Sequence, residues 1–283
     1  MKIEAFSWLE WGACELAFLG KQEAIRECEQ ALETLFGISR SELYLTAPSD
    51  PIAFSQFSEW VRARKERTPS AYLLRGVHFW DDGLEVEEGV FIPRPETEVL
   101  IESFFSASGL RKPDAFKFLD LGTGTGNIAV TMAKLFPNSR GAAVDLSRKA
   151  LAVARRNARR LGVSDRLQFV QADGLPAFGK EIFDCVLSNP PYIASRDWPT
   201  LEPEVRREPR LALDGGEEGL DFYRKIFRQI DCLKCGGSLW VEIGWGERAQ
   251  VQKLFEAANF HGIRIFKDFN QIERVICGIK FNG

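Results

Sequence analysis

The spacing of apolar residues changes character once along the chain, near Gly76. Before that point Trp8, Trp11, Leu16 and Leu19, then Ala24, Cys28, Ala31, Leu32 and Leu35, recur near helical intervals with charges between them. Gly20 and Gly37 fit helix C-termini, while Ser39 or Ser41 and then Ser49-Asp50-Pro51 mark helix starts. A further amphipathic helix is predicted from about Phe54 to Arg67, and Pro69 opens a last turn through Tyr72 and Leu73. No strand pattern interrupts this stretch, so residues 1–75 read as a small helical domain. Its basic run, Arg62-Ala63-Arg64-Lys65-Glu66-Arg67, reads as a solvated helix face.

Past Gly76 the period shortens. Val77-His78-Phe79-Trp80 and Leu84-Glu85-Val86 predict a hairpin turning at Asp82-Gly83, within a linker over residues 76–92. Pro95 suits the first turn of a helix, whose positive end is favoured by Glu96 and Glu98. From Phe116 the chain alternates strand and helix, the signature of a parallel sheet. Strands are predicted at Phe116–Leu121, Ala142–Val144 ending on Asp145, Leu167–Val170 ending near Asp173, Phe183–Ser188 and Gly237–Ile243. Helices are predicted from Asn127, over Ser147–Leu161, Asp221–Leu233 and Glu247–Ala258. Two closing strands, near Gly262–Lys267 and Arg274–Lys280, are joined by a hairpin at Asp268-Phe269-Asn270. The α/β part is therefore placed at residues 93–283.

Composition narrows the function without naming it. Of 283 residues 45% are apolar and 27% charged, as in ordinary globular proteins. No apolar run approaches the roughly 20 residues that span a bilayer, and acids stand where a signal peptide needs an apolar core. A cytoplasmic protein with no membrane partner is expected. A net charge of −3 argues against a protein that grips nucleic acid by its phosphates. Six cysteines are scattered, with one CxxC at Cys232 and Cys235 and histidines only at 78 and 261. A zinc site lacks ligands, so no metal is expected and the cysteines read as packed thiols in a reducing compartment.

Candidate chemistry collects at the strand ends. Gly122-Thr123-Gly124-Thr125-Gly126 lies between a strand and a helix, where glycines let backbone approach a ligand. Such a loop serves several nucleotide cofactors, although GxGxG is not the dinucleotide GxGxxG. Asp145 is placed for ribose hydroxyls, and Asp173 for an adenine amine. Either aspartate also suits a turn or cap. The fourth strand delivers Asn189-Pro190-Pro191-Tyr192, in which two prolines stiffen the loop. An amide, backbone carbonyls and an aromatic ring suit a small planar group bearing an NH2. A rigid strand terminus is the plainer alternative.

These residues resemble the class I S-adenosylmethionine methyltransferases that act on planar nitrogens. Ala71-Tyr72-Leu73 with Gly76, Ile92-Pro93-Arg94-Pro95-Glu96-Thr97-Glu98, Glu204-Val205-Arg206 with Glu208-Pro209, and Ala212-Leu213-Asp214-Gly215-Gly216 with Gly219 narrow the resemblance to the HemK/PrmC family. The resemblance spans essentially the whole chain. It implies a Rossmann-like α/β class I methyltransferase domain, with a mostly parallel seven-stranded sheet and a C-terminal antiparallel strand, preceded by an all-helical substrate-recognition domain. It also implies N5-methylation of the glutamine in the Gly-Gly-Gln motif of class-I peptide chain release factors. Gly122, Thr123, Gly124, Thr125, Gly126, Asp145, Asp173, Gly174 and Asn189 would bind the cofactor. Asn189, Pro190, Pro191 and Tyr192 would bind the substrate amide, with Asn189, Pro190 and Tyr192 catalytic. Gly174 departs from relatives that often carry a large aromatic there. Two other classes stay open, a DNA or RNA exocyclic-amino methyltransferase and a non-catalytic binding module. The acidic balance counts against the first, and the intact Asn189 and glycine loop against the second.

Overall fold

The computed structural model of the chain describes residues 5–37, 40–43, 51–111, 114–175 and 178–281. Chain contacts divide it into two compact units, residues 1–76 with 202–207, and residues 77–201 with 208–283.

The first unit is helical: α1 (Ala5–Glu15), α2 (Lys21–Phe36), α3 (Arg40–Leu43), α4 (Pro51–Lys65) and α5 (Ser70–Leu73). The apolar faces predicted for α1, α2 and α4 meet in one core of Trp8, Leu16, Cys28, Leu32, Phe57 and Trp60. Gly12 permits that meeting, since a Cβ there would lie 2.9 Å from both Cys28 Sγ and Phe57 Cζ. Gly37, at φ 65°, closes α2 through a bond from its N–H to the Glu33 carbonyl. Of the expected helix starts, Ser39, Ser49 and Asp50 lie outside the described residues, and Ser41 falls inside α3. The basic run is not wholly a solvated face. Arg64 is buried, and its guanidinium bonds Glu27 at 2.6 Å and Glu204 at 2.9 Å. A guanidinium can be buried there because two carboxylates meet it, whereas Arg62 and Lys65 stay in water.

Past Gly76 runs the two-stranded ribbon of β1 (Gly76–Phe79) and β2 (Asp82–Glu85). Its turn is at Trp80-Asp81, two residues earlier than expected. Trp80 takes the left-handed conformation at φ 56°, and its N–H donates to Glu98 at 2.7 Å, which offsets the strain. The earlier turn leaves Gly83 in the strand and buries Phe79 and Leu84.

Then follow α6 (Glu98–Ala107), β3 (Lys117–Leu121), α7 (Asn127–Leu135), β4 (Arg140–Asp145), α8 (Arg148–Arg160), β5 (Leu167–Gln171), β6 (Phe183–Ser188), α9 (Asp221–Gln229), β7 (Leu233–Glu242), α10 (Arg248–Ala257), β8 (Phe260–Lys267) and β9 (Glu273–Lys280). The large sheet has the order β5-β4-β3-β6-β7-β9-β8, parallel through β7, with β9 antiparallel to both neighbours. Phe118, Leu119, Asp120 and Leu121 are all buried, as expected of a central strand covered on both faces. On one face α6 and α7 bury Leu100, Phe104, Ile128 and Met132; on the other α9 and α10 bury Tyr223, Ile226, Val251 and Phe255. Each such large side chain contributes about 1.5–3 kcal/mol. Helix α9 stops at Gln229 and not Leu233, because Leu233 is already paired with Phe183 and buried in β7. The Lys280 ammonium bonds the carbonyls of Ile230 and Leu233, securing the exit from the helix.

The strand order reverses direction between β3 and β6. A crevice opens outside the carboxyl ends of strands at such a reversal, because their connections depart to opposite faces. Both the glycine loop after β3 and the tetrapeptide after β6 are delivered to it.

Candidate active site

The glycine loop is built on a buried acid. Asp120 accepts the Thr123 hydroxyl at 2.5 Å and the Ala129 N–H at 3.0 Å, which ties β3 to the first turn of α7. Its other oxygen is buried without a partner, and burial pushes its pKa up to about 7. The N–H groups of Gly122 and Thr123 both reach the Val144 carbonyl at 2.9 Å. Gly122 and Gly124 adopt φ of 74° and 55°. A Cβ on either would meet nothing nearer than 3.9 Å, so their open sides face the crevice.

At the end of β4, Asp145 accepts N–H bonds from Gly124 at 2.9 Å and Ser147 at 2.8 Å. Each oxygen keeps a further lone pair. Burial holds this carboxyl above its ordinary range although those bonds pull it down. Ser147 also caps α8, its hydroxyl accepting from the Ala150 N–H. Asp173 is different. It is exposed and paired with Lys225. Gly174 is buried at φ 92°, and the Gln229 carboxamide fills the place its side chain would take. Gln229 Oε1 accepts the Leu175 N–H at 3.1 Å, so the space an aromatic residue would need is occupied by another group.

The tetrapeptide is held from three sides. Ser188 Oγ donates to the Leu121 carbonyl at 2.7 Å, and Asn189 Nδ2 donates to Thr97 Oγ1 at 2.9 Å. The Tyr192 hydroxyl donates to Glu242 Oε1 at 3.3 Å. Burial pushes the Tyr192 phenol well above its usual range, so it stays protonated. Behind the loop, the Ile193 N–H donates to the Leu213 carbonyl at 2.9 Å, and the Ile193 carbonyl accepts the Gly215 N–H at 2.8 Å. A cavity of about 690 Å³ gathers Gly122, Gly124, Asp145, Asp173, Gly174, Asn189 and Pro191 along its walls, with Phe91, Leu211 and Phe222 as apolar cover. Thr123, Thr125 and Gly126 shape the loop but do not line the cavity, and neither do Pro190 and Tyr192.

Four supporting residues had no role assigned from sequence. Thr97 is wholly buried and receives the Asn189 amide. Glu242 is wholly buried at the end of β7, with burial raising its pKa to about 7. A glutamate closing an otherwise apolar strand, beside Asn189, is the signal that could have found it. Glu208 accepts the Ile92 N–H at 3.0 Å and pairs with Arg94, and so fixes the segment that carries Phe91. The fourth is Gln229.

Seven strands in this order, with a glycine loop, an acid and an Asn-Pro-Pro-Tyr turn at successive carboxyl ends, define a class I S-adenosylmethionine-dependent methyltransferase. The donor set fits that cofactor. A carboxylate with spare acceptors suits a ribose diol, and side-chain-free backbone suits close approach of an amino acid tail. Residues 94–202 match the model of the methyltransferase small domain, and residues 7–74 that of the PrmC N-terminal domain. The release factor glutamine methyltransferase of Caulobacter vibrioides is 39% identical over 254 residues, covering 88% of this chain and 87% of that protein. Its namesake in Geobacter sulfurreducens is 38% identical, covering 95% and 94%. The chain belongs to the release factor glutamine methyltransferase family. Among solved structures, a methyltransferase from Pyrococcus furiosus aligns with a TM-score of 0.53 at 17% identity, over 70% of this chain and 89% of that one, which shows the shared fold. Among the described residues no helix is long and apolar enough to cross a membrane.

Proposed function

We propose that this enzyme methylates the side-chain amide nitrogen of the glutamine in the Gly-Gly-Gln motif of class-I peptide chain release factors. The observation that carries the reading is the tethered Asn189. Its Nδ2 is committed to Thr97, which leaves Oδ1 as an acceptor at the cavity wall. A primary amide offers two N–H donors, and Asn189 Oδ1 with the Pro190 carbonyl takes them. Relatives at 38–39% identity that carry the release factor glutamine methyltransferase name support the same substrate.

When bound, the cofactor supplies an electrophilic sulfonium methyl group. Gly122, Thr123, Gly124, Thr125 and Gly126 would shape its cradle, Asp145 would hold its ribose, and Asp173 with Gly174 would border its adenine. The amide nitrogen is a weak nucleophile because its lone pair is delocalised into the carbonyl. Fixing it in line accounts for roughly 7–11 kcal/mol of the barrier. As its protons become acidic, Asn189 Oδ1 and the Pro190 carbonyl stabilise the transition state more than the ground state. Tyr192, held through its hydroxyl by Glu242, backs the loop that carries Asn189, and a proton leaves to water after transfer. The helical unit up to residue 75 recognises the protein substrate, residues 76–92 link it to the catalytic part over 93–283, and the enzyme works in the cytoplasm without a stable nucleic acid partner.

Incubation with labelled S-adenosylmethionine, followed by mass spectrometry, tests the reading. One added methyl on the glutamine of a release factor is expected, and none on a glutamine-substituted factor or on DNA. Label on DNA with none on the factor would overturn it in favour of an exocyclic-amino methyltransferase.

A further inference from the structure

Helix α9 completes the wall of the cavity beside Gly174. The Ala172 N–H donates to the Asp145 carbonyl at 3.2 Å, so the loops after β4 and β5 run side by side. A ribose held at Asp145 therefore sets its base against Asp173 and Gly174. Gly174 offers that base no side chain, and the space over it is filled from α9 instead. A Cβ at this position would collide with Gln229 Oε1 and lie 3.1 Å from Lys225 Cε. Residues 225 and 229 share one helix face at i, i+4 spacing, and Phe222, three residues before Lys225, belongs to it as well. Gln229 is committed to the Leu175 N–H and does not line the cavity. Lys225 and Phe222 do line it, as does Leu146, the residue after Asp145.

We propose that Lys225 is a cofactor-binding residue: its methylene stem covers one face of the adenine, and its ammonium fixes the Asp173 carboxylate toward the 6-amino group. This deepens the proposed function and rests on the cofactor placement given there. A lysine suits both tasks, because its stem is apolar and its charge sits at the tip, so the stem can lie on a ring while the ammonium keeps to an acid or to water. Here the ammonium pairs with Asp173 Oδ1, the lysine side chain being 28% exposed and that of the aspartate 69%. An ion pair so open to solvent adds little to stability. Its consequence is orientation. With Oδ1 taken, Oδ2 remains as an acceptor for a donor in the cavity. The adenine 6-amino group is such a donor, whereas a base with a carbonyl there would set lone pairs against lone pairs. Leu146, 43% exposed in the same wall, gives the ring a second apolar surface.

Calorimetry on the full-length protein tests the proposal with no protein substrate present. The probes are S-adenosylhomocysteine and its deaminated counterpart, S-inosylhomocysteine. Lys225→Ala should weaken S-adenosylhomocysteine binding roughly 10-fold, the scale of one or two methylene groups taken from the ring. Lys225→Met, which reaches as far as Cε without the charge, should recover most of that loss. The wild type should prefer the adenosyl ligand by roughly 10- to 100-fold, the scale of a hydrogen bond to a charged group. Both Lys225→Met and Asp173→Asn should narrow that preference. Lys225→Ala with wild-type affinity overturns the proposal, as does Lys225→Met that falls as far as Ala or keeps the full preference. Asp145→Ala separates the proposal from the placement beneath it. If Asp145→Ala weakens binding and Lys225→Ala does not, the role of Lys225 alone fails; if Asp145→Ala leaves binding unchanged, the cofactor placement itself fails.

Discussion

Gly215 is where a single methyl group should disable the enzyme without unfolding it. It lies behind the tetrapeptide, its N–H donating to the Ile193 carbonyl at 2.8 Å. Its φ is not in the left-handed region, so alanine brings no backbone strain, and space alone decides. An alanine Cβ would sit 2.6 Å from the Gly219 oxygen and 2.7 Å from the Pro191 oxygen, where ordinary contact begins at 3.4 Å. Both obstacles are backbone and cannot swing aside, so a strand of the site must move by roughly 0.7 Å to make room. Overpacking of this kind costs about 1–3 kcal/mol, and at about 2–4 °C per kcal/mol Gly215→Ala should lower Tm by about 2–12 °C. Pro191 belongs to the rigid loop, so its shift carries Asn189 off line, and an ångström of misplacement costs about 100-fold in rate. Gly83→Ala is the matched control: nothing lies within 4 Å of its added carbon and its φ is ordinary, so a change within about 0.5 kcal/mol is expected. Differential scanning calorimetry and single-turnover transfer by each variant decide the matter. Wild-type transfer and Tm in Gly215→Ala would refute the reasoning that backbone behind the loop sets its position.

Asn189→Ala should slow methyl transfer on the order of 100- to 1000-fold in the same assay, with cofactor affinity little changed because Asp145 keeps its bonds to the glycine loop. Asp145→Ala should weaken S-adenosylmethionine binding in calorimetry by about 1–3 kcal/mol, since the acceptor is lost and Gly124 and Ser147 lose their partner as well. Asp120, Glu242 and Glu247 all titrate near 7 through burial, well above the 3.8–4.5 of exposed carboxyls. Groups raised in this way contribute stability that is fully present below the unfolded value and is lost as pH climbs through the folded one. Tm should therefore decline from about pH 5 to pH 7.5, and Glu242→Gln should decline less; a flat wild-type Tm over that window would refute this.

Most of the architecture was legible in local pattern. Strand ends at Leu121, Asp145 and Ser188 are marked by the change from an apolar run to glycine, acid or proline, signals that act over a few residues. The same pattern places Asp145 and Asn189 at one sheet edge. Where local signals competed, tertiary contacts chose. Asp82-Gly83 has better turn chemistry than Trp80-Asp81, but the Glu98 carboxylate and the burial of Phe79 and Leu84 settled the hairpin elsewhere. Residues 230–233 continue a helical period, yet Leu233 gains more by pairing with Phe183 in the sheet. Arg64 read as a solvated charge because the carboxylates that bury it lie 37 and 140 residues away. Thr97, Glu208 and Glu242 stayed without a role for the same reason, as each acts on a partner that only the fold brings within hydrogen-bonding range. Residue type and spacing determine which atoms are offered at a strand end. How those atoms are turned depends on buried partners remote in sequence, and that is decided only when the chain has closed around them.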